Sequence, residues 1–571
     1  MISVDVAIIG GGPAGSTTGA LLKKYQPDLT VAIFEREIFP REHVGESQLP
    51  PIGEILDEMG CWDKVESANF PIKIGATYRW GKSADLWDFE FLSGERFVNE
   101  PRPARYEGQR RRTAFQVDRA VYDQILLDHA EELGCEVRQG VKVQSVSRNG
   151  DGVTSITLDN GDEVEARFYL DASGSSGLLR RSFAVTVTEP TSLRNIAIWD
   201  YWENATWAVN IGTGGTRVQV MSLGYGWLWF IPLGPTRTSI GLIVPAEYYR
   251  QSQKSPEALY LSAIESDRVI GPLVQGATRE GTTRTTKDWS FVADRHYGQN
   301  WFLIGESAGF ADPILAAGMT LAHTSAQECA YTILELERGI HSRKWLLEQF
   351  ETRQKRRIMQ HIRFADYWYT ANAHFTDLQE FTTQIALDAG IELDARRAWQ
   401  WLGQGGFISE DFSVPQFGGF DVESVKLMHR LMTDHPVEWD AARFNVFELN
   451  FRGAERREVA LYQNGRIEKG PAVWRNGKVL PLFGLYGPLV EVLEREPRIF
   501  QAFSMLQNRL TKEGSFDSPE EAMAWAFQAL DAMVSEGWVT GRFDPRLPSA
   551  NPETPAESEH VHWNRDQAAK S

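Results

Sequence analysis

Gly10, Gly12 and Gly15 fall in Val4-Asp-Val-Ala-Ile-Ile-Gly-Gly-Gly-Pro-Ala-Gly15 as GxGxxG, with Pro13 and Ala14 inside the turn. Chemistry at such a turn is phosphate recognition. The first glycine permits a tight bend, the second lets a backbone approach a pyrophosphate, and the third lets helix and strand pack closely. The free N–H groups and positive dipole end of the following helix then face the anion. Glu35, followed by Arg36, closes the next strand-like run, Leu29-Thr-Val-Ala-Ile-Phe-Glu35. A carboxylate there accepts hydrogen bonds from ribose hydroxyls. The order strand, glycines, helix, strand, acid predicts a dinucleotide site.

Two further groups have less obvious chemistry. Lys73 lies between Ile72 and Ile74 in Phe70-Pro-Ile-Lys-Ile-Gly-Ala-Thr-Tyr-Arg-Trp80, alone and cationic in an apolar strand-like run. Residue types alone favour a snorkelling or edge-strand lysine. Trp227 and Trp229 stand two apart in Gly226-Trp-Leu-Trp-Phe-Ile-Pro-Leu-Gly234, so in a strand they share one face. Ile231 and Pro232 complete a WxWxIP pattern. Such a pair forms core packing or a barrier between two compartments, and residue types leave both open.

These residues need elements to hold them. Gln116 to Gly134 predicts an amphipathic helix with Arg119 near its start and Gly134 as its stop. Ala166 to Gly177 predicts a strand running through Asp171 into a second glycine turn. Asn300 to Gly318 predicts a third, a strand ending at Gly305-Glu306 followed by a helix. Trp227 to Val244 predicts a hairpin, and Asp288 lies on a strand-like segment. Ser518, Pro519, Glu521 and Gly537 bracket a capped helix in the last quarter. From Pro545 the chain is rich in Pro, Ala and Glu and reads as a loose tail.

The bulk properties exclude several classes. A net charge of -18 over 571 residues argues against a nucleic-acid surface. Three dispersed cysteines and eleven histidines without HExxH or CxxC spacing give no metal framework. The sequence shows neither a targeting segment nor an apolar run long enough to span a bilayer, so the expectation is a cytoplasmic chain without membrane contact.

The ordered landmarks resemble the FAD-binding pattern of the glutathione-reductase-like flavoproteins, p-hydroxybenzoate hydroxylase type. Val44-Gly-Glu-Ser47, Phe70 to Gly81, the WxWxIP run, Lys287-Asp-Trp-Ser-Phe291 and Gly309 to Gly318 come in an order that resembles the flavin-dependent halogenases. The similarity is to the branch containing the chloramphenicol-pathway halogenase and the carrier-tethered phenol and pyrrole enzymes. It implies an α/β fold: an FAD-binding Rossmann-like domain with a β-rich substrate layer over 1–370, a mainly helical and winged-helix-like domain over 371–545, and a flexible tail over 546–571. It implies FAD held by Gly10, Gly12, Pro13, Ala14, Gly15, Glu35, Arg36, Arg41, Ser47, Arg119, Asp171, Gly305 and Glu306. Arg119 would reach the pyrophosphate or ribityl chain, and Glu306 would replace the usual ribityl-binding aspartate. Asp288 would touch the dimethylbenzene edge of the ring, beside the plainer reading of a strand-end aspartate.

By the same resemblance, reduced FAD and oxygen oxidise chloride or bromide to hypohalous acid, the tryptophans keep organic substrate from the flavin, and Lys73 is the catalytic lysine. Its ammonium could activate the acid by hydrogen bonding, or its neutral amine could form a haloamine. The halide would rest on Pro313 and the N–H groups of Ala317, Gly318 and Met319. The family pattern FxxPxxSxG here reads Phe310-Ala-Asp-Pro313-Ile-Leu-Ala316-Ala-Gly318, with Ala316 replacing serine. Implied partners are a separate flavin reductase, since no nicotinamide-binding unit is evident, and a small-molecule or carrier-tethered substrate. The alternatives are a flavin monooxygenase or reductase on the same scaffold, and a non-catalytic carrier-binding flavoprotein.

Overall fold

The computed structural model describes residues 1–190, 194–288, 290–372, 416–417, 420–434, 437–513, 518–548 and 557–564. The chain divides into two compact units, Met1–Ile385 with Trp563–Ser571, and Ala386–His562.

In the first unit, Ile2–Ile9 is the middle of a mainly parallel sheet. Val31–Glu35 and Glu163–Asp171 flank it in parallel, Glu136–Gln139 extends one side, and Trp301–Leu303 runs parallel to the end of Glu163–Asp171. Val31–Glu35 is buried at every residue, as expected for a strand covered on both faces. Register aligns the strand ends: Ile9 pairs with Phe34 and with Asp171, and Asp171 pairs with Leu303. The three glycine turns and Glu35 therefore emerge along one edge, at the carboxyl ends of parallel strands, where open α/β sheets bind ligands. The helices Pro13–Tyr25, Arg119–Glu132 and Ala317–Arg338 pack beside that edge.

A second sheet supplies the other wall. Its strands run in the order Asn195–Glu203, Arg237–Pro245, Trp227–Pro232, Gly215–Ser222, Ile72–Arg79 and Trp87–Glu90. The predicted hairpin is present, with Trp227–Pro232 antiparallel to Arg237–Pro245. Leu228, Phe230, Ile240 and Leu242 pack against Leu259, Tyr260, Ala263 and Ile264, a face covered by the helix Pro256–Ser266. By strict alternation Trp227, Trp229 and Ile231 point to the opposite face. In the Ile72–Arg79 strand, Lys73 pairs with Thr216 but Gly75 pairs with Arg217, so Ile74 is an extra residue. A bulge of this kind re-aims the residues before it relative to those after it.

In the second unit the strands Glu455–Gln463, Arg466–Arg475 and Lys478–Pro481 form an antiparallel meander. Tyr486–Leu493, Ile499–Glu513 and Pro519–Ser535 are helices. Ser518 caps the last of these, its hydroxyl accepting the Glu521 N–H at 3.1 Å. The strand Val539–Arg542 returns to pair with Val446–Leu449 rather than forming a hairpin of its own. Within the stretch read as a loose tail, Asn564, which belongs to the first unit, is held in place. The Asn564 N–H donates to the Leu86 carbonyl at 2.8 Å, and its amide to Asp88 at 3.1 Å. Residues 373–415, at the start of the stretch 371–545 expected to be mainly helical, lie outside the described residues.

Candidate active site

The first glycine turn is crowded at two positions and open at the third. A Cβ on Gly10 would lie 2.4 Å from the Ala172 carbonyl oxygen, and Gly10 has φ +109°, so no other residue is accommodated easily. A Cβ on Gly15 would lie 2.0 Å from the Gly10 oxygen, which is close helix–strand packing. At Gly12 the nearest atom would be the Arg41 guanidinium, at 3.3 Å, and the helix begins there with Pro13 and no side-chain cap. Free backbone N–H groups facing open space beside an arginine suit a diphosphate. Ala14 meets the third turn, because a Cβ on Gly305 would come within 3.1 Å of its methyl. Glu35 accepts the Gly11 N–H at 2.7 Å and the Glu37 N–H at 2.9 Å, one on each oxygen. One lone pair per oxygen remains for a ribose. Arg36 pairs with Glu37 at the surface.

Arg119 and Arg41 converge on a residue the sequence reading did not single out, Asp123. Arg119 makes a bidentate pair with it at 2.7 and 2.8 Å, and Arg41 lies 3.1 Å away. Burial raises the Asp123 carboxyl pKa, but the two guanidinium groups outweigh it and hold the net value below the usual range. The i,i+4 spacing of Arg119 and Asp123 on one helix is the signal that could have found it. Burial pushes Glu306 up, partly offset by the charge of Arg119. Ser47 and Gln116 pair across an isolated bridge, and the Ser47 hydroxyl and both Gln116 amide atoms are buried without hydrogen-bond partners. Polar atoms orphaned in this way mark a place a polar ligand completes. Together with Gly12, Glu35, Arg119 and Glu306, they fit FAD. Asp171 is engaged otherwise, accepting from Ser173, Leu179 and Arg180 backbone N–H groups and so fixing the second turn. The backbone of Asp288 pairs with Asn195, and its side chain lies outside the described residues.

The third turn leads into the proposed halide loop. Asp312 caps the short turn Pro313–Leu315 through the Ile314 N–H at 2.9 Å. Ala316 adopts the left-handed conformation, φ 55° and ψ 33°, and Ala317–Arg338 starts without a side-chain cap. The N–H groups of Ala317, Gly318 and Met319 therefore form an uncapped helix start, with open space where a Gly318 side chain would be. The Asp312 carboxylate also accepts from the Tyr369 hydroxyl and the Asn195 amide, each at 3.1 Å. Tyr369 in turn accepts the Trp227 indole N–H at 2.7 Å.

The two indoles are buried, 6.0 Å apart between centroids and inclined at 55°. Trp229 donates to the Ser239 hydroxyl at 3.1 Å. Ile231 and Pro232 continue the buried strand. Glu46, beside Ser47, is 2% exposed, and one of its oxygens accepts the Tyr201 hydroxyl at 2.9 Å while the other has no partner. Burial raises its pKa to about 7, against the hydroxyls of Tyr201 and Ser239 and the charge of Arg119. Lys73 is 4% exposed. Its ammonium nitrogen donates to the Gln48 carbonyl at 2.9 Å and lies 5.4 Å from the Phe91 ring centre. Burial alone lowers its pKa to about 7, with no carboxylate opposing the effect.

The family model described as tryptophan halogenase matches residues 5–99 and 92–396. The chain belongs to the flavin-dependent halogenase family. Members of that family are FAD-dependent enzymes, in keeping with the cofactor cradle described above. The 1H-pyrrole-2-carbonyl-(peptidyl-carrier protein) chlorinase of Pseudomonas fluorescens is 31% identical over 390 residues, 65% of this chain and 85% of that protein. The tryptophan 2-halogenase of Chondromyces crocatus is 32% identical over 346 residues, 59% of this chain and 62% of that protein. Among solved structures, the myxobacterial chondrochloren halogenase CndH is 30% identical with a TM-score of 0.59, over 68% of this chain and 90% of that one. The flavin-dependent halogenase CmlS, 23% identical, shares the fold over 96% of this chain and 98% of its own, with a TM-score of 0.70. No helix among the described residues is long and apolar enough to cross a membrane, and no cluster among them could hold a metal ion.

Within the flavin-dependent halogenase scaffold, sequence reasoning missed Asp123, Gln116, Glu46, Asp312 and Tyr369. Glu46 stood inside the quoted Val44-Gly-Glu-Ser47 run, and Asp312 inside the third turn. Tyr369 had no local signal, since it reaches Trp227 only through the tertiary fold.

Proposed function

We propose that this chain uses reduced FAD, dioxygen and chloride or bromide to halogenate an electron-rich aromatic substrate, with Lys73 as the group that delivers the halogen. The observation that carries the reading is the surroundings of Lys73. A buried amine that has a carbonyl partner and, among the described residues, no counter-anion is poised between its charged and neutral forms near neutral pH. Reduced FAD, when bound, would give two electrons to dioxygen, which takes two more from the halide, so that hypohalous acid and water form. The rest belongs to the chain. The N–H groups of Ala317, Gly318 and Met319 bind the halide, and the backbone donors do not depend on the serine hydroxyl that Ala316 lacks. Trp227 and Trp229 exclude organic substrate while small species pass.

At Lys73 the neutral nitrogen attacks the halogen of hypohalous acid, a nitrogen–halogen bond forms, and hydroxide leaves with the amine proton as water. The aromatic carbon then attacks the halogen, the bonding pair returns to nitrogen, and the ring proton passes to that nitrogen, which restores the neutral amine. A carrier-tethered substrate is supported by the carrier-protein chlorinase among the relatives. A separate flavin reductase supplies the reduced cofactor. A second reading, a monooxygenase or reductase on the same scaffold, is favoured by Ala316 and Glu306, each in place of the family's usual residue.

The test is product formed per flavin reoxidised, by mass spectrometry, with chloride and then bromide over aromatic and carrier-bound substrates. Halide-dependent mass shifts that vanish in Lys73→Ala, with flavin reoxidation intact, support the reading. An added oxygen without halogen would establish the second reading in its place. Equal halogenated yields from Lys73→Ala and wild type would remove Lys73 from the mechanism.

A further inference from the structure

The two tryptophans of the wall are held in different ways. Register sets Trp227 opposite Ile243 and Trp229 opposite Gly241. A Cβ on Gly241 would lie 2.0, 2.3 and 2.4 Å from three atoms of the Trp229 six-membered ring, whereas 3.4–4 Å is ordinary contact. Gly241 has none of the positive φ values that call for glycine, so space and not backbone conformation accounts for it. Glycine inside a strand forgoes packing and marks a place where another group approaches the backbone closely. Here that group is the indole, which lies down across the neighbouring strand. Two residues earlier on that strand, and on the same face, Ser239 accepts the indole N–H at 3.1 Å. One residue removes the side chain under the ring, and the other fixes the rotation of the ring about its own axis.

We propose that Gly241 and Ser239 are positioning residues for Trp229, and that together they set how closely its indole seals the passage between flavin and substrate. The proposal rests on the barrier reading of Trp227 and Trp229. A methyl at position 241 cannot coexist with the present ring position. It forces the indole off the strand Arg237–Pro245 by more than an ångström, the difference between the built distance of 2.0 Å and ordinary contact. A ring lifted this far no longer fills the same gap. Removing the Ser239 hydroxyl adds no bulk and lets the ring turn, and it also takes from Glu46 one of the two hydroxyls that hold its pKa down. Both changes leave Lys73, the glycine turns and the halide loop untouched. They should act on how the reaction partitions and not on whether flavin binds.

The test compares wild type with Trp229→Ala, Gly241→Ala, Ser239→Ala, Trp229→Phe and the pair Gly241→Ala/Trp229→Phe, all as FAD-loaded full-length protein. Measured are halogenated product and hydrogen peroxide per flavin reoxidised, FAD affinity, and melting temperature. Gly241→Ala should raise the ratio of peroxide to product about tenfold, the equivalent of about 1.4 kcal/mol between two competing paths. FAD affinity should stay at the wild-type level. Phenylalanine lacks the outer ring atoms that the methyl meets, so in the Trp229→Phe background the same glycine change should have no further effect. If Gly241→Ala is insoluble, recovery of soluble protein in the pair, with a raised ratio in Ser239→Ala, carries the same conclusion. A raised ratio in Trp229→Ala with wild-type ratios in folded Gly241→Ala and Ser239→Ala overturns the positioning proposal and leaves the barrier standing. A wild-type ratio in all variants, Trp229→Ala included, overturns the barrier reading itself. An equal effect of Gly241→Ala in both backgrounds also overturns the proposal.

Discussion

The indole N–H of Trp227 and the carboxylate of Asp312 share one hydroxyl, that of Tyr369. It accepts from the indole at 2.7 Å and donates to the carboxylate at 3.1 Å. Since Asp312 also caps the turn Pro313–Leu315, the Tyr369 hydroxyl links the Trp227 indole to the proposed halide loop. Tyr369→Phe should leave two buried polar groups without that partner and lower stability by about 1–3 kcal/mol. Freed from the wall, the loop should also bind halide less tightly. Steady-state rates against bromide concentration should show a raised halide KM with a smaller change in kcat. An unchanged halide KM would mean that the link is structural only.

Lys73 makes a pH prediction of definite sign. Its pKa of about 7 in the folded chain lies below the usual 10.5, so the amine is neutral above about pH 7 and charged below it. Product per flavin reoxidised should fall as pH drops through 7 and level off above it. Between these two pKa values the unfolded chain binds the extra proton, so folding stability gains with rising pH. Lys73→Met should accordingly be more stable than wild type at pH 7 by more than about 1 kcal/mol, and the gap should close towards pH 10. Denaturant titrations at several pH values measure it, and a gap independent of pH would contradict the assigned environment.

Glu46 behaves in the opposite sense. Burial raises its folded pKa from 4.5 to about 7, so across that interval the folded chain binds the extra proton. Stability contributed by this group is full below pH 4.5, is lost progressively as pH rises to 7, and is constant beyond. Glu46→Gln retains an acceptor for Tyr201 and removes the titration. Relative to wild type it should gain up to about 3 kcal/mol between pH 4.5 and 7. Parallel stability curves for the two proteins would show that Glu46 is not protonated in the folded chain.

The glycine turn separates binding from folding. Gly12→Val intrudes on open space, so the chain should fold with a near wild-type melting temperature but fail to retain FAD. Gly15→Ala drives a methyl against the Gly10 carbonyl. It should cost about 1–3 kcal/mol as an overpacked contact even without cofactor. Melting curves of both apo-proteins and flavin fluorescence titrations distinguish the two. Equal loss of stability in both variants would refute the distinction.

The dinucleotide edge was legible because its information is local. Gly10, Gly12, Gly15 and Glu35 lie within one strand–turn–helix–strand unit, and turn geometry dictates residue type at each position. The hairpin was equally legible, since alternation alone sends Leu228 and Phe230 to one face and Trp227 and Trp229 to the other. Lys73 was harder to place. Strict alternation would put it on the face of Thr77 and Arg79, which meet Asp88 and Asp267, but Ile74 interrupts the register. A bulge depends on the partner strand, so nothing near Lys73 announces it.

By itself the sequence determined the glycine turns and the acid at one sheet edge, the order of the elements and the pairing of two tryptophans on one strand face. Each of these follows from backbone sterics or from a period of two or 3.6 residues. Only the tertiary structure decided what those groups touch. Burial moved the pKa values of Lys73 and Glu46 towards neutral pH, Asp123 gathered Arg41 and Arg119, and Tyr369 joined Trp227 to a loop 57 residues earlier in the chain. Gly241 gave its reason only once Trp229 was seen lying across it. Desolvation, ion pairing and steric fit act between residues remote in sequence, and only folding brings them together.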